Sequence, residues 1–428
     1  MLGPGGTLGA MRPHAVLLIS LLVIAPASGG AQTSGEVARL VADPAVRAAL
    51  DAVRAGEADT IEDQIRLCEI PAPPFDEAGR ARAYADAFRS VGLRNVRVDA
   101  EGNVLGERPG RGARPHLVLS AHLDTVFPEG TDVSVTRQGR VLHGPGIGDD
   151  CRGLAVLLGV ARALDAAQVE TGGSITFVGT VGEEGLGDLR GAKALFADTL
   201  AGRIDRFVSV DGSGHAITHV AVGSHRYRVT FRGPGGHSYE DFGRANPVHA
   251  LGRAMALIAE LGVPSRPRTT FSVGRVGGGT SVNAIASDAW MEVDLRSVSP
   301  ASLDALDAQF QRAVRDALAR ENQRWRQNGR LTVSIDRIGD RPAGRTEEGS
   351  PIVQIALAAS RALGIPAALD EGSTDANVAM SLNVPAITVG SGGIGTGAHT
   401  LQEAFDTTDS WRGSQRLVLL AVALATDF

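Results

Sequence analysis

The chain has 428 residues, of which 43% are hydrophobic and 21% charged, and its net charge is −6. This length is more than one ordinary core organises, so two domains are expected, with the residue balance of a soluble globular protein. A nucleic-acid partner is disfavoured, because such partners leave a basic stripe and no long run of Lys or Arg is present.

The chain order begins with an apolar run from Ala15 to Ala25, broken only by Ser20. It follows Met11-Arg12 and leads into the small residues Pro26-Ala27-Ser28-Gly29-Gly30-Ala31. A basic start, a short apolar stretch and a small-residue exit describe a secretory signal peptide over residues 1–31, with cleavage near Ala31. The expected product is periplasmic or secreted, with no stable membrane insertion once the signal is removed. An uncleaved run would act as a membrane tether. Only Cys68 and Cys151 occur, too few for a disulfide framework, so two free thiols are expected.

From Ser34 to about Val220, helical periodicity (Ile61–Glu69, Glu77–Val91, Leu154–Leu164) alternates with compact apolar runs at Leu117–Ser120, Ser174–Val178 and Phe207–Val210. Such alternation predicts an α/β layer with a mostly parallel central sheet, whose ligands bind beyond the carboxyl ends of the strands. Next come strand Tyr227–Arg232, helix Pro247–Leu261, strands Thr269–Val276 and Ala289–Arg296, helix Pro300–Gln327 and strand Leu331–Ile335. The order β-α-β-β-α-β is that of a ferredoxin-like unit. Helix Pro351–Leu363 and a loop-rich stretch, Glu371–Thr407, complete the chain. The expected organisation is a catalytic domain in two parts, 32–221 and 340–428, interrupted by an inserted α+β lid at 222–339.

Five polar clusters punctuate this pattern. The first is His122-Leu123-Asp124, after the apolar run Leu117–Leu119. A metal-bound His commonly donates its second N–H to a carboxylate, a role within reach of Asp124. The motif equally describes a hydrogen-bonded His at a strand end. Gly148-Asp149-Asp150-Cys151 precedes an apolar helix and could simply cap it. Glu183-Glu184-Gly185 and Asp211-Gly212 each follow an apolar strand, and His399 sits in the Gly-rich Gly395-Thr396-Gly397-Ala398-His399-Thr400. Several carboxylates at neighbouring strand exits would repel unless protonated or neutralised by cations. Imidazole with carboxylate suits zinc, with cobalt or manganese as substitutes.

Taken in order, these motifs resemble the M20 metallopeptidases, a family of aminopeptidases, carboxypeptidases and N-acyl-amino-acid deacylases. The likeness is to its peptidase T and glutamate carboxypeptidase branch, and it spans nearly the whole mature chain. The resemblance implies a zinc-exopeptidase-type catalytic domain holding two divalent metal ions. Asp149 would bridge them, His122 and Asp211 would serve one ion, and Glu184 and His399 the other. It implies Glu183 as general base towards a metal-bridging water, Asp124 as the partner of His122, and a cis peptide at Asp149-Asp150. In the lid, Gly233-Pro234-Gly235-Gly236-His237-Ser238 resembles the motif whose His steadies the reacting carbonyl oxygen, often from a partner subunit. Asn283 and Arg296 resemble its substrate-binding pair. One departure is Cys151, where many members carry Lys. The expected activity is an exported exopeptidase acting on short peptides. An N-acyl-amino-acid deacylase is the alternative, followed by a non-catalytic metal-dependent peptide-binding protein. A homodimer through the lid is the expected assembly.

Overall fold

The computed structural model describes Gly3, residues 28–325 and residues 329–426. The apolar run expected to direct export therefore lies outside the described residues, as does Gln327. No helix among the described residues is long and apolar enough to cross a membrane.

The catalytic domain is built on a nine-stranded sheet. Its central strands Ile175–Thr180, Leu117–His122, Arg206–Val210 and Ala386–Val389 run parallel in that spatial order. Antiparallel strands Val104–Arg108 and Arg94–Val98 extend one side, while Ile217–Ala221, Gly344–Arg345 and Leu369–Gly372 close the other. Every residue of the first two central strands is buried, as expected of parallel strands covered on both faces. Helix Cys151–Ala166 runs through the core, with Leu154, Val156, Leu157, Leu158 and Val160 fully buried. Asp150 starts that helix by accepting the Gly153 N–H at 3.1 Å.

Strand Ala386–Val389 falls in the stretch read from the sequence as loop-rich. It is a four-residue, fully buried run between Pro385 and Gly390. A segment that short has no periodicity to read, and its pairing with Arg206–Val210 is what extends it.

The lid is a four-stranded antiparallel sheet in the order Thr269–Gly278, Asp288–Ser297, Gly223–Arg232, Thr332–Arg341. Helices Pro247–Ala259 and Pro300–Arg324 cover one face. Strand Asp288–Ser297 alternates with period two, sending Ala289, Met291, Val293 and Leu295 into the lid core. Asn246 and Ser299 cap the two helices, each followed by Pro at the first helical position, where its missing N–H costs nothing. The last strand runs beyond the expected Ile335 to Arg341, past a register shift between Arg337 and Gly339. The expected boundary at 339 thus falls inside a strand. The lid leaves after Ala221 and returns at Gly344, two residues paired side by side in the main sheet. Both crossings meet at one sheet edge, which is how an insertion leaves its host fold intact.

Candidate metal centre

The parallel strands deliver the polar clusters to one edge of the sheet. His122 ends its strand; Glu183 and Glu184 follow Thr180, and Asp211 follows Val210. His399 lies in the loop of the hairpin joining Ile394–Thr396 to Ala404–Asp406, with a left-handed φ of 64°. A non-glycine residue in that conformation is costly and is found where surrounding structure imposes it. Strand Val141–His143 pairs with the same hairpin and leads into the loop bearing Asp149. The two loops are therefore held together.

The Asp149 carboxylate lies between two imidazoles. Its Oδ1 is 2.9 Å from His122 Nε2, and its Oδ2 is 3.2 Å from His399 Nε2. Glu184 Oε1 approaches His399 Nε2 at 3.0 Å, and Asp211 Oδ1 approaches His122 Nε2 at 4.0 Å. Donor atoms of His122, Asp149 and Glu184 all lie within 4.8 Å of one another.

The donor chemistry tests whether cations fit. His122 Nδ1 faces the Asp124 carbonyl oxygen at 3.0 Å, which assigns the ring N–H to Nδ1. In a neutral ring, the Nε2 lone pair then points at a carboxylate oxygen. Two acceptors facing each other need a proton or a shared cation between them. Burial raises Asp211 to about 7, with Asp149 and Glu184 adding to the effect. Hydrogen bonds to Asp149 and Glu184 raise His399 to about 10. Burial alone would lower the His122 pKa, but its bonds to Asp124 and Asp149 carry it well above the usual value. In each case the surroundings favour the protonated form, as carboxylates and imidazoles crowded together do where a cation would supply the counter-charge. The set fits divalent ions on both sides of Asp149, and the Asp149–Asp150 peptide is cis.

Glu183 is 4% exposed. Burial raises its pKa, Arg341 opposes the rise, and Glu184 and Asp211 add to it. Arg341, the last residue of the lid sheet and itself buried, donates to Glu183 Oε1 at 3.1 Å. It also donates to the Glu183 carbonyl and, at 3.2 Å, to Ser373 Oγ. Neither Arg341 nor Asp375 was singled out in the sequence. Asp375 is fully buried and bonds Thr180 Oγ1 at 2.5 Å, and burial raises it to about 6. Arg341→Met is expected to lower kcat by about 10- to 100-fold with metal content unchanged, the usual cost of losing a partner that orients a working group. Metal analysis beside steady-state kinetics checks this.

Three carboxylates do structural work that was invisible in the sequence. Asp124 stands 3.6 Å from His122 Nδ1, and its carboxylate instead accepts the Glu183 and Glu184 N–H groups at 3.0 and 2.8 Å. The Asp124 carboxylate still lies beside the His122 ring, while Nδ1 makes its shorter contact to the Asp124 carbonyl oxygen. Asp150 accepts the His122 N–H at 3.0 Å. Glu403 accepts the N–H groups of Gly146, Gly148 and Asp149 at 2.9, 2.8 and 3.0 Å. Cys151 packs in a small cluster that includes Cys68, Ile147 and Phe405, and both cysteines are buried and free.

The lid residues divide. His237 and Asn283 lie on adjoining segments: His237 pairs with Ala284, and the Ser238 N–H donates to the Asn283 carbonyl at 2.9 Å. His237 Nδ1 accepts the N–H groups of Tyr239 and Glu240, both at 3.3 Å, so the ring hydrogen belongs on Nε2. Arg296 pairs with Ser224 at the opposite end of the lid sheet and donates to Asp294 at 2.6 Å. Among the described residues, no hydrogen bond or ion pair joins His237, Asn283 or Arg296 to the metal ligands. Asn283 and Arg296 are not brought together within one chain.

The sequence profile of peptidase family M20/M25/M40 matches residues 118–423. The protein YqjE of Bacillus subtilis (strain 168), uncharacterized itself, is 26% identical over 351 residues, covering 78% of this chain and 90% of YqjE. Succinyl-diaminopimelate desuccinylase of Corynebacterium glutamicum is 27% identical over 243 residues, 54% of this chain and 64% of that enzyme. The match thus spans just under two thirds of the desuccinylase. Among solved structures, aminopeptidase PepT from Bacillus cereus superposes with a TM-score of 0.68 at 21% identity, over 86% of this chain and 98% of its own. The profile match covers well over half the chain and includes all five metal-ligand candidates. The chain belongs to peptidase family M20/M25/M40 and is a hydrolase of peptide or amide bonds.

Proposed function

We propose that this chain is an exported exopeptidase that hydrolyses short peptides at a two-metal centre. The observation that carries the reading is the Asp149 carboxylate, each of whose oxygens faces a different imidazole. His122 and Asp211 would hold one ion, Glu184 and His399 the other, and Asp149 both. Zinc suits this donor set best. When bound, such ions polarise a carbonyl oxygen and acidify water.

The chain's own groups handle orientation and protons. Glu183 takes a proton from the attacking water and returns it to the leaving amine. Arg341 holds one Glu183 oxygen, leaving the other to accept that proton. His237, with its hydrogen on Nε2, is suited to donate to the developing oxyanion. Large apolar side chains stand exposed on the lid, including Tyr239, Phe242 and Val282. They support a homodimer formed through the lid, in which His237 and Asn283 serve the partner's centre.

The N-acyl-amino-acid deacylase reading is kept because of the similarity to the desuccinylase. Di- and tripeptides against N-acetyl and N-succinyl amino acids, assayed with and without chelator, separate the two. The expected outcome is peptide hydrolysis that chelator abolishes and added zinc, cobalt or manganese restores. Turnover of the acylated amino acids alone would replace the peptidase reading, and hydrolysis indifferent to chelator would overturn the metal centre.

A further inference from the structure

The sheet carries a second concentration of charge at its other end. A cavity of about 610 Å³ opens where the central strands begin, beside His116 and Ser174, which immediately precede Leu117 and Ile175. Arg94, Arg108, Arg111, Arg114 and Arg203 line it together with His116. Three of these arginines come from one loop, Arg108-Pro109-Gly110-Arg111-Gly112-Ala113-Arg114, pinned by the Arg111 and Gly112 N–H groups to the Thr171 and Gly172 carbonyls at 2.9 and 2.8 Å. Gly110 is obligatory there, since a Cβ would lie 2.0 Å from the Gly173 carbonyl oxygen. The loop is therefore a built feature of the fold.

In a chain of net charge −6, five arginines line one cavity, and little counter-charge is at hand. Among the described residues, Glu107 is the one carboxylate in the lining, and it is already engaged by Arg97 at 2.7 Å and Asn95 at 2.8 Å. Asp205 pairs with Arg114, and Asp165 and Glu170 lie on the adjoining flank. Among the described residues, Arg108 and Arg203 donate only to uncharged oxygens. Arg94 and Arg111 are exposed, and their guanidinium groups have no partner among the described residues.

We propose that this cavity is a second ligand site, taking a molecule that carries two or more phosphate groups. Planar guanidinium forks match phosphate oxygens two at a time, and several forks around one volume favour a multiply charged ligand over a single anion. The site stands about 20 Å from the metal ligands, the length of a six-residue strand, so its occupant does not compete with substrate.

Titration calorimetry of the metal-loaded full chain with tripolyphosphate tests the assignment, beside sedimentation with phosphatidylglycerol vesicles and neutral phosphatidylcholine vesicles. The expected result is saturable tripolyphosphate binding that falls by about tenfold or more in an Arg94→Gln/Arg111→Gln variant. Arg312→Gln, an exposed arginine on the lid helix, should bind as wild type, and peptide hydrolysis should be unchanged in both variants. Heat from metal withdrawal is common to all three proteins and cancels in the comparison. Binding to phosphatidylglycerol vesicles alone would overturn the proposal, because that headgroup carries a single phosphate, and would point to an anionic membrane surface instead. Absence of binding in both arms, or equal loss in Arg312→Gln, would overturn the site.

Discussion

Glu183→Gln is expected to lower kcat by roughly two to four orders of magnitude while both metal sites still fill, the range general acid–base groups contribute. The substitution preserves shape and volume in a pocket where Glu183 is 4% exposed. Its amide oxygen can still accept from Arg341, so the packing that holds Arg341 in place is retained. What disappears is the capacity to take and return a proton. Glu184→Gln, one residue along, is the contrasting case. Glu184 approaches His399 Nε2 at 3.0 Å, and its charge belongs to the donor set, so metal should be lost together with activity. Metal content and kcat measured on both variants separate the roles. A Glu183→Gln enzyme with wild-type turnover would remove Glu183 as the base. Loss of metal in that variant would instead make it a ligand.

Mixing two inactive variants, Glu183→Gln and His237→Ala, should restore about a quarter of wild-type activity. The reasoning is geometric. His237 and Asn283 lie at one end of the lid sheet, while Arg296 and the returning Arg341 lie at the other, next to the metal centre. Strand Asp288–Ser297 separates the two ends by ten residues, about 30 Å of extended chain. A His on the far end serves a partner's centre more readily than its own. In a two-fold dimer each centre would combine Glu183 from one subunit with His237 from the other. A mixed dimer then has one centre with both residues intact and one with neither. With half the dimers mixed, one site in four works. The test is activity after subunit exchange at equal concentrations, with sedimentation to establish the oligomeric state. A mixture that stays as inactive as its parents would place His237 in the service of its own subunit, or show the chain to be a monomer.

Much of the centre was legible in the sequence because strand exits write themselves locally. An apolar run that leads into a carboxylate or His marks where a buried strand surfaces, and His122, Glu183, Glu184 and Asp211 all follow that form. Parallel strands surface at a common edge, so three separate motifs could be assigned to one place from the sequence. The lid was legible for a related reason: period-two strands and capped, proline-started helices declare themselves within about ten residues.

The remainder depended on contacts between distant segments. Arg341 reaches Glu183 across 158 positions, and Glu403 reaches the Asp149 loop across 254. Nothing near Arg341 or Glu403 distinguishes it from any other charged residue at a strand end or in a turn. Asp124 sits in a recognisable motif, yet its carboxylate was claimed by the backbone of the Glu183-Glu184 turn. Strand Ala386–Val389 is too short to carry a period. The residue types at the strand exits, and hence the donor chemistry, were set by the sequence alone. Which carboxylate orients a loop and which arginine holds Glu183 were decided only by tertiary structure, because hydrogen-bond partners are chosen by proximity in space and not along the chain.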